Sequence, residues 1–190
     1  MSKYRNLILE SARKLFSSKH FEQVTIKEIC QDAGVANSTF YYHFKTKEDL
    51  MDCLRLKDDH PSDSDLYHIL ATDDLMEQVL TACTMCAARA QRNGCTLTTQ
   101  YYKCRLNAET LDDAHRMLYR QEAMTAQTLI ARAQQNGLIR NQSPVEKLTD
   151  AALGLTNHTI INWCVCGGTF ELMHAAREAL LVLFNLYIPA

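Results

Sequence analysis

Glycine and proline are scarce in this chain, 6 and 3 among 190 residues. A collagen-like repeat, a Pro-rich spacer or a Gly-rich disordered segment needs far more of both, so a packed chain with few interruptions is expected. No internal repeat occurs. Apolar runs of membrane-spanning length are also missing: the most apolar stretch, Ala179 to Leu186, is far shorter than the ~20 residues a span needs. No nucleophile elbow, phosphate-cradling glycine loop, paired-histidine metalloprotease motif or dinucleotide fingerprint appears, which argues against an enzyme and against a bound cofactor. The opening MSKYRNLILESARKLF is charged at Lys3, Arg5, Glu10, Arg13 and Lys14 and does not read as a secretory leader. Eight cysteines without such a leader imply a reducing, cytoplasmic setting.

What is present is apolar and unevenly charged. Hydrophobic residues make up 47% of the chain, enough for a sizeable core, and 190 residues suit a small module plus one larger helical domain. The formal charge of -2 hides an asymmetry: residues 1–47 carry 8 Lys+Arg against 4 Asp+Glu, and the remainder 12 against 18. The basic end is thus free to meet a polyanion while the acidic remainder repels one.

The basic end holds the most legible stretch, Thr25 to Phe44, TIKEICQDAGVANSTFYYHF. Thr25 followed by Glu28 has the spacing of a capping box and predicts a helix from Ile26. Ile26, Ile29, Cys30 and Ala33 recur on one helical face, with Lys27, Glu28, Gln31 and Asp32 on the other. Gly34 suits the left-handed residue that ends such a helix. A second short helix, Asn37 to His43, leaves Asn37, Ser38, Thr39, Tyr41, Tyr42 and His43 outside a thin apolar side of Val35, Phe40 and Phe44. Short polar groups and aromatic rings without strong charge are what base edges in a major groove require. Two short helices set by a glycine turn form a helix-turn-helix.

The run FEQVTIKEICQDAGVANSTFYYHFKTKEDL, Phe21 to Leu50, resembles the DNA-binding domain of the tetracycline-repressor (TetR) family of bacterial transcription regulators. The matching positions are Thr25, Ile29, Ala33, Gly34, Val35, Thr39, Tyr41, His43, Phe44, Lys47 and Leu50. The resemblance implies an all-α fold: an N-terminal three-helix domain with the helix-turn-helix at about 25–44, joined by a fourth helix to a C-terminal helical ligand-binding and dimerisation domain. It also implies a homodimer on double-stranded operator DNA, released by a small-molecule effector. Thr25, Tyr41 and Lys47 would hold phosphates, while Asn37, Ser38, Thr39, Tyr42 and His43 would lie in or beside the groove, with Lys27 nearby. Ala36 departs from the family, which often places a serine-like cap there.

Along the chain, Lys3 to Ser18 reads as a supporting helix with Tyr4, Ile8, Ala12, Leu15 and Phe16 on one side. The fourth helix is expected to start after Thr46, with Leu50, Met51 and Leu54 inward, and to stop before Pro61. The linker-like stretch at 61–64 then divides domains 1–60 and 61–190. Further helices are expected near 65–71, 74–92, 96–106, 109–135, 144–166 and 170–187, punctuated by Asn93-Gly94, Asn107, Asn136-Gly137 and Gly167-Gly168. Ser143-Pro144-Val145-Glu146 reads as a cap, a first-turn proline and a capping-box glutamate. The last helix is apolar on more than one side, and Met173, Leu180 and Phe184 are the expected dimer interface.

Candidate effector-pocket residues are Met85, Tyr101, Tyr102, His115, Tyr119, His158 and Trp163, since flexible Met and amphipathic aromatics suit an adaptable apolar cavity. Each alone fits an ordinary core equally well. Thr156, Asn157, His158 and Thr159 are consecutive polar residues in a helix, so at least one must face inward. Cys83 and Cys86, with Cys95, Cys104 and His115, have ligand-type side chains, but their spacing is not that of a zinc site and no metal is expected. Two other readings stay open: a protein-interaction module that keeps the fold, and a cysteine-based redox or metal sensor.

Overall fold

The computed structural model describes residues 3–59, 69–107 and 113–186, and the regular elements among them are all helical. Helix α1 spans Lys3–Ser18, α2 Ile26–Ala33, α3 Asn37–His43 and α4 Lys47–Asp59, with a 3-10 turn at Phe21–Gln23. They are followed by α5 at Leu75–Asn107, α6 at Asp113–Gln135, α7 at Val145–Val165 and α8 at Leu172–Leu183. The fold is all-α, with a helix-turn-helix domain followed by a helical domain. Chain contacts group Met1–Asp58 with Asn93–Thr110 as one unit, and Asp59–Arg92 with Leu111–Ala190 as another.

In the first unit, the i, i+4 recurrence of apolar side chains on α1 buries Ile8, Leu9, Ala12, Leu15 and Phe16. They pack with Ile29, Cys30 and Ala33 of α2, Phe40 of α3, Phe44, and Leu50, Met51 and Leu54 of α4. Each Phe or Leu fully buried here contributes roughly 1.5–3 kcal/mol. Tyr4, expected on the same stripe, is instead 54% exposed. It sits in the first turn of α1, a full turn ahead of the buried run.

The element ends follow local chemistry. Thr25 Oγ1 accepts from the Glu28 amide at 3.1 Å, and the Glu28 carboxylate accepts from the Thr25 amide at 3.4 Å, completing the capping box. Gly34 closes α2 in the left-handed region (φ 66°, ψ 35°), and the Val35 amide reaches back to Cys30 O at 2.9 Å. At α4, Thr46 Oγ1 accepts from the Asp49 amide, while Asp49 Oδ2 accepts from the amides of Lys45 and Thr46. The turn between α3 and α4 is thereby pinned by side chains from both directions.

The second unit departs from expectation in places. Gly94 (φ 80°, ψ 159°) is non-helical and separates two helical stretches within α5 across a kink, at the break expected at Asn93-Gly94. The helix expected at 65–71 lies largely outside the described residues. Pro144 is the residue before α7 rather than its first residue, and no side-chain cap forms at that start, the Ser143 amide donating instead to Asn141 Oδ1 at 3.0 Å. Helix α8 is shorter than 170–187 because Asn185 turns left-handed (φ 58°). The core joins Val79, Leu80 and Cys83 of α5, Ala126, Ile130 and Ala133 of α6, Leu148 and Ala152 of α7, and Leu180 of α8 with Phe184. Arg177 of α8 binds both carboxylate oxygens of Glu77 at the start of α5, with Nη1 to Oε1 at 3.0 Å. No helix among the described residues is long and apolar enough to cross a membrane.

Thr25→Ala should destabilise the first unit by ~1 kcal/mol, as loss of a helix cap does, measured by urea denaturation. Two carboxylates give an acid signature. Lys19 and the Thr25 amide hold the Glu28 carboxyl below its usual range, and Lys14 (2.6 Å) and Ser11 do the same for Asp32. Lowered folded-state values mean that their contribution is complete above the ordinary carboxylate range and disappears as pH falls through it and below. Glu28→Gln together with Asp32→Asn should flatten the melting temperature against pH on the acid side and leave its shape unchanged above neutrality.

Candidate nucleic-acid interface

Helix α3 buries one side chain completely, Phe40, and turns nearly everything else outward. Tyr42 is 84% and Tyr41 58% exposed; Asn37 and Ser38 are exposed, and Thr39 and His43 are half-buried. Tyr42 packs edge-on against His43 (4.9 Å between ring centres) and Tyr41 against Phe40 (5.5 Å), which restrains both phenols. Ala36 precedes the helix in an extended conformation and supplies no cap. The helix still begins at Asn37 because the amides of Thr39 and Phe40 both close onto Ala36 O.

Beside it, Thr25, Tyr41 and Lys47 line a single open cleft of about 380 Å³, together with Glu22, Val24, Ile26, Lys45, Thr46 and Glu48. The first turns of α2 and α4 both open at this cleft, and a helix N-terminus carries partial positive charge and free amides suited to a phosphate. Lys27 is exposed on α2. Lys45 and Thr46, legible in the sequence as the turn and cap before α4, also line the cleft.

Lys47 has a further task that the sequence did not signal. Its ammonium donates to Phe21 O at 2.6 Å and Val24 O at 2.8 Å, and lies 4.3 Å from the centre of the Phe21 ring. It therefore ties the first residue of α4 to the turn before α2, and of the three N–H donors of a lysine one remains for an outside acceptor. A contact across this sequence separation leaves no trace in local spacing.

The candidate effector residues are spread out. Met85 (4% exposed) belongs to the apolar core of the second unit, and Trp163 is buried with its indole N–H on Phe170 O at 3.0 Å. Tyr119 and His158 are exposed. Tyr101 and Tyr102 form an edge-on pair (5.3 Å) in the stretch that groups with the first unit. The side chain of His115 lies outside the described residues. Of the polar run on α7, the one fully inward residue is Thr156, at 0% exposure. Leu180 and Phe184 are at 0% exposure inside one chain and Met173 is half-buried, so the first two present no outward face. The apolar side chains that α7 and α8 do turn outward are Ile161, Val165 and Val182. Burial pushes the Cys83 thiol up to about 12, and burial with the nearby Glu122 carboxylate pushes Cys86 up to about 11 against the pull of Arg89. Both stay protonated near neutrality, which makes them poor nucleophiles and poor metal ligands.

Two short helices set by a glycine turn, the second with an exposed polar and aromatic face beside an open cleft, form a helix-turn-helix. Residues 8–53 match the family model of bacterial regulatory proteins, tetR family. The HTH-type transcriptional regulator UidR of Escherichia coli (strain K12) is 37% identical over 54 residues, 28% of this chain and 28% of that protein. The likeness to it thus spans little more than a quarter of the relative's length. FadR from Bacillus subtilis, in complex with stearoyl-CoA, superposes with a TM-score of 0.73 at 17% identity, covering 96% of this chain and 99% of that one. FadR from Thermus thermophilus, in complex with lauroyl-CoA, does so with a TM-score of 0.65 at 16% identity, covering 98% and 96%. At such identities the likeness establishes the shared fold.

Lys47→Met keeps an apolar stem over Phe21 and deletes both ammonium hydrogen bonds. A loss of about 1.5 to 3 kcal/mol is expected in chemical denaturation, the range for hydrogen bonds to a charged group. An unchanged midpoint would show that the clamp contributes nothing.

Proposed function

We propose that this protein is a homodimeric transcriptional repressor that binds double-stranded operator DNA through residues 1–60 and releases it when a small-molecule effector occupies residues 61–190. The observation that carries the reading is the exposed face of α3, where Tyr42 stands 84% in solvent beside Asn37 and Ser38. An exposed tyrosine on a short helix has little to offer the monomer's stability; in a major groove it meets base edges and thymine methyl groups. In this reading Asn37, Ser38, Thr39, Tyr42 and His43 set sequence preference. Thr25, Lys27, Tyr41 and the remaining donor of Lys47 set affinity through phosphates.

Replacing Asn37, Ser38, Thr39 and Tyr42 together by Ala should flatten the preference profile in a binding selection from random duplexes, while weak binding to any duplex persists. A retained profile would remove α3 from base reading. Lys27→Ala should weaken all sequences alike and lower the slope of log affinity against log salt by about one.

Two recognition helices enter successive major grooves only when held ~34 Å apart, so binding needs a fixed dimer. We place the two-fold contact on the outward apolar side chains of α7 and α8, Ile161, Val165 and Val182, rather than on Leu180 and Phe184. Val165→Glu should give a folded monomer in analytical ultracentrifugation that no longer binds operator. Leu180→Glu puts a charge into the core of one chain and should fail to fold. A dimeric Val165→Glu protein would move the interface elsewhere. For the effector, the acyl-CoA molecules held by two structural neighbours favour an apolar, chain-like body. Met85 and Trp163 fit such a body, and Tyr101, Tyr102, His115, Tyr119 and His158 remain candidates for contacts to it.

A further inference from the structure

The first 47 residues carry 8 basic side chains, and the structure sorts them by what they meet. Arg13 Nη1 donates to Asn93 Oδ1 at 3.4 Å, Lys14 pairs with Asp32 at 2.6 Å, Lys19 pairs with Glu28, and the Lys47 ammonium is held by Phe21 O and Val24 O. Lys27 is exposed on α2 and Lys45 lines the cleft. Lys3 and Arg5 remain, both in the first turn of α1, where no acidic residue joins them. Positive charge there opposes the field of the helix, whose N-terminal end is itself positive. The placement is unfavourable in the unbound protein and turns favourable when a polyanion lies outside.

Arg5 is also aimed. Its guanidinium lies over the ring of Phe44, 5.4 Å from the centre, and among the described residues it makes no hydrogen bond and no ion pair. An arginine stacked by its face keeps the N–H donors along its edge, and that planar fork matches two oxygens of a phosphate. Phe44 directly follows α3, is 3% exposed and meets the ring of Phe40 at 5.6 Å. The His43 ring lies 6.3 Å from Phe44 and 4.9 Å from Tyr42, so ring contacts lead from Arg5 to the exposed face of α3. Arg5, His43 and Phe44 stand outside the cleft lined by Thr25, Tyr41 and Lys47.

We infer that Arg5 is a further DNA-contact residue that grips a backbone phosphate outside the cleft, with Phe44 as the positioning residue that holds its guanidinium. The inference rests on the DNA-binding reading above and adds a contact to it. A seven-residue helix such as α3 is ~10 Å long, close to the ~12 Å width of a major groove. A cation fixed at the end of that helix meets the phosphate wall of the groove rather than a base edge. Lys3 is the internal contrast. Two residues earlier, it leaves α1 ~200° around the axis from Arg5, and no ring aims it.

The test uses the full-length chain and a duplex that the wild type selects from a random pool, with affinity measured between 0.05 and 1 M salt. Arg5→Met keeps an apolar stem over Phe44 and deletes the charge and its donors. It should lower the slope of log affinity against log salt by ~0.9 for each half-site, a loss of roughly eightfold per half-site at 0.1 M salt that closes toward 1 M. Arg5→Lys keeps the charge and should restore most of the slope, and Lys3→Met should leave it unchanged. Ethylation of individual backbone phosphates should reveal one phosphate per half-site whose modification blocks the wild type but not Arg5→Met. The selected sequence should be the same for wild type and Arg5→Met, since a phosphate contact carries no base information. A changed preference would show that Arg5 acts only by holding α3 and would overturn the contact. Equal slope losses from Arg5→Met and Lys3→Met would reduce it to general charge and overturn it as well. An Arg5→Met protein with the wild-type slope and ethylation pattern removes this inference and leaves the DNA-binding reading standing, whereas a wild type that selects no duplex removes both.

Discussion

A seven-residue helix that buries a single side chain cannot hold itself together, and α3 is such a helix. Its order is imposed from outside. Phe40 inserts into a core built by Ile8, Ala12 and Phe16 of α1 and by Ile29 and Ala33 of α2, while Phe44 stacks against it at 5.6 Å under the guanidinium of Arg5. That one anchor sets the orientation of Tyr41, Tyr42 and the polar residues before them. The presentation of this polar, aromatic face therefore depends on the burial of one phenylalanine and on the turn at Gly34 that aims it.

The turn and the clamp act on opposite ends of the same problem. Gly34 fixes α3 relative to α2 through the left-handed geometry and the Val35-to-Cys30 bond. Lys47 fixes the start of α4 relative to the loop before α2 by binding Phe21 O and Val24 O. Between them, the three elements that border the cleft, α2, α3 and the head of α4, gain short polar and stereochemical restraints on top of the apolar core they share. This is how a surface expected to meet phosphates keeps its geometry without burying the groups that must meet them.

The second unit uses its interior differently. Its interior joins an apolar core to a buried ion pair, Arg89–Glu122. Cys83 and Cys86, kept protonated by burial, behave there as small apolar residues rather than as reactive thiols.

Where information was local, the sequence by itself determined the outcome. The capping box at Thr25 and Glu28, the left-handed Gly34, the spans of α1, α2 and α3 and the cap at Thr46 follow from interactions within a few residues, so spacing reveals them. Side-chain direction on α7, the partners of Lys47 and the burial of Leu180 and Phe184 depend on what packs from elsewhere in the chain. A run of polar residues could say that one of Thr156 to Thr159 points inward; only the neighbouring helices decided that it is Thr156 and not His158. An apolar last helix could say that more than one face is covered; only the fold showed that Leu180 and Phe184 are covered by their own chain, because burial is a property of the assembled core and not of the residue.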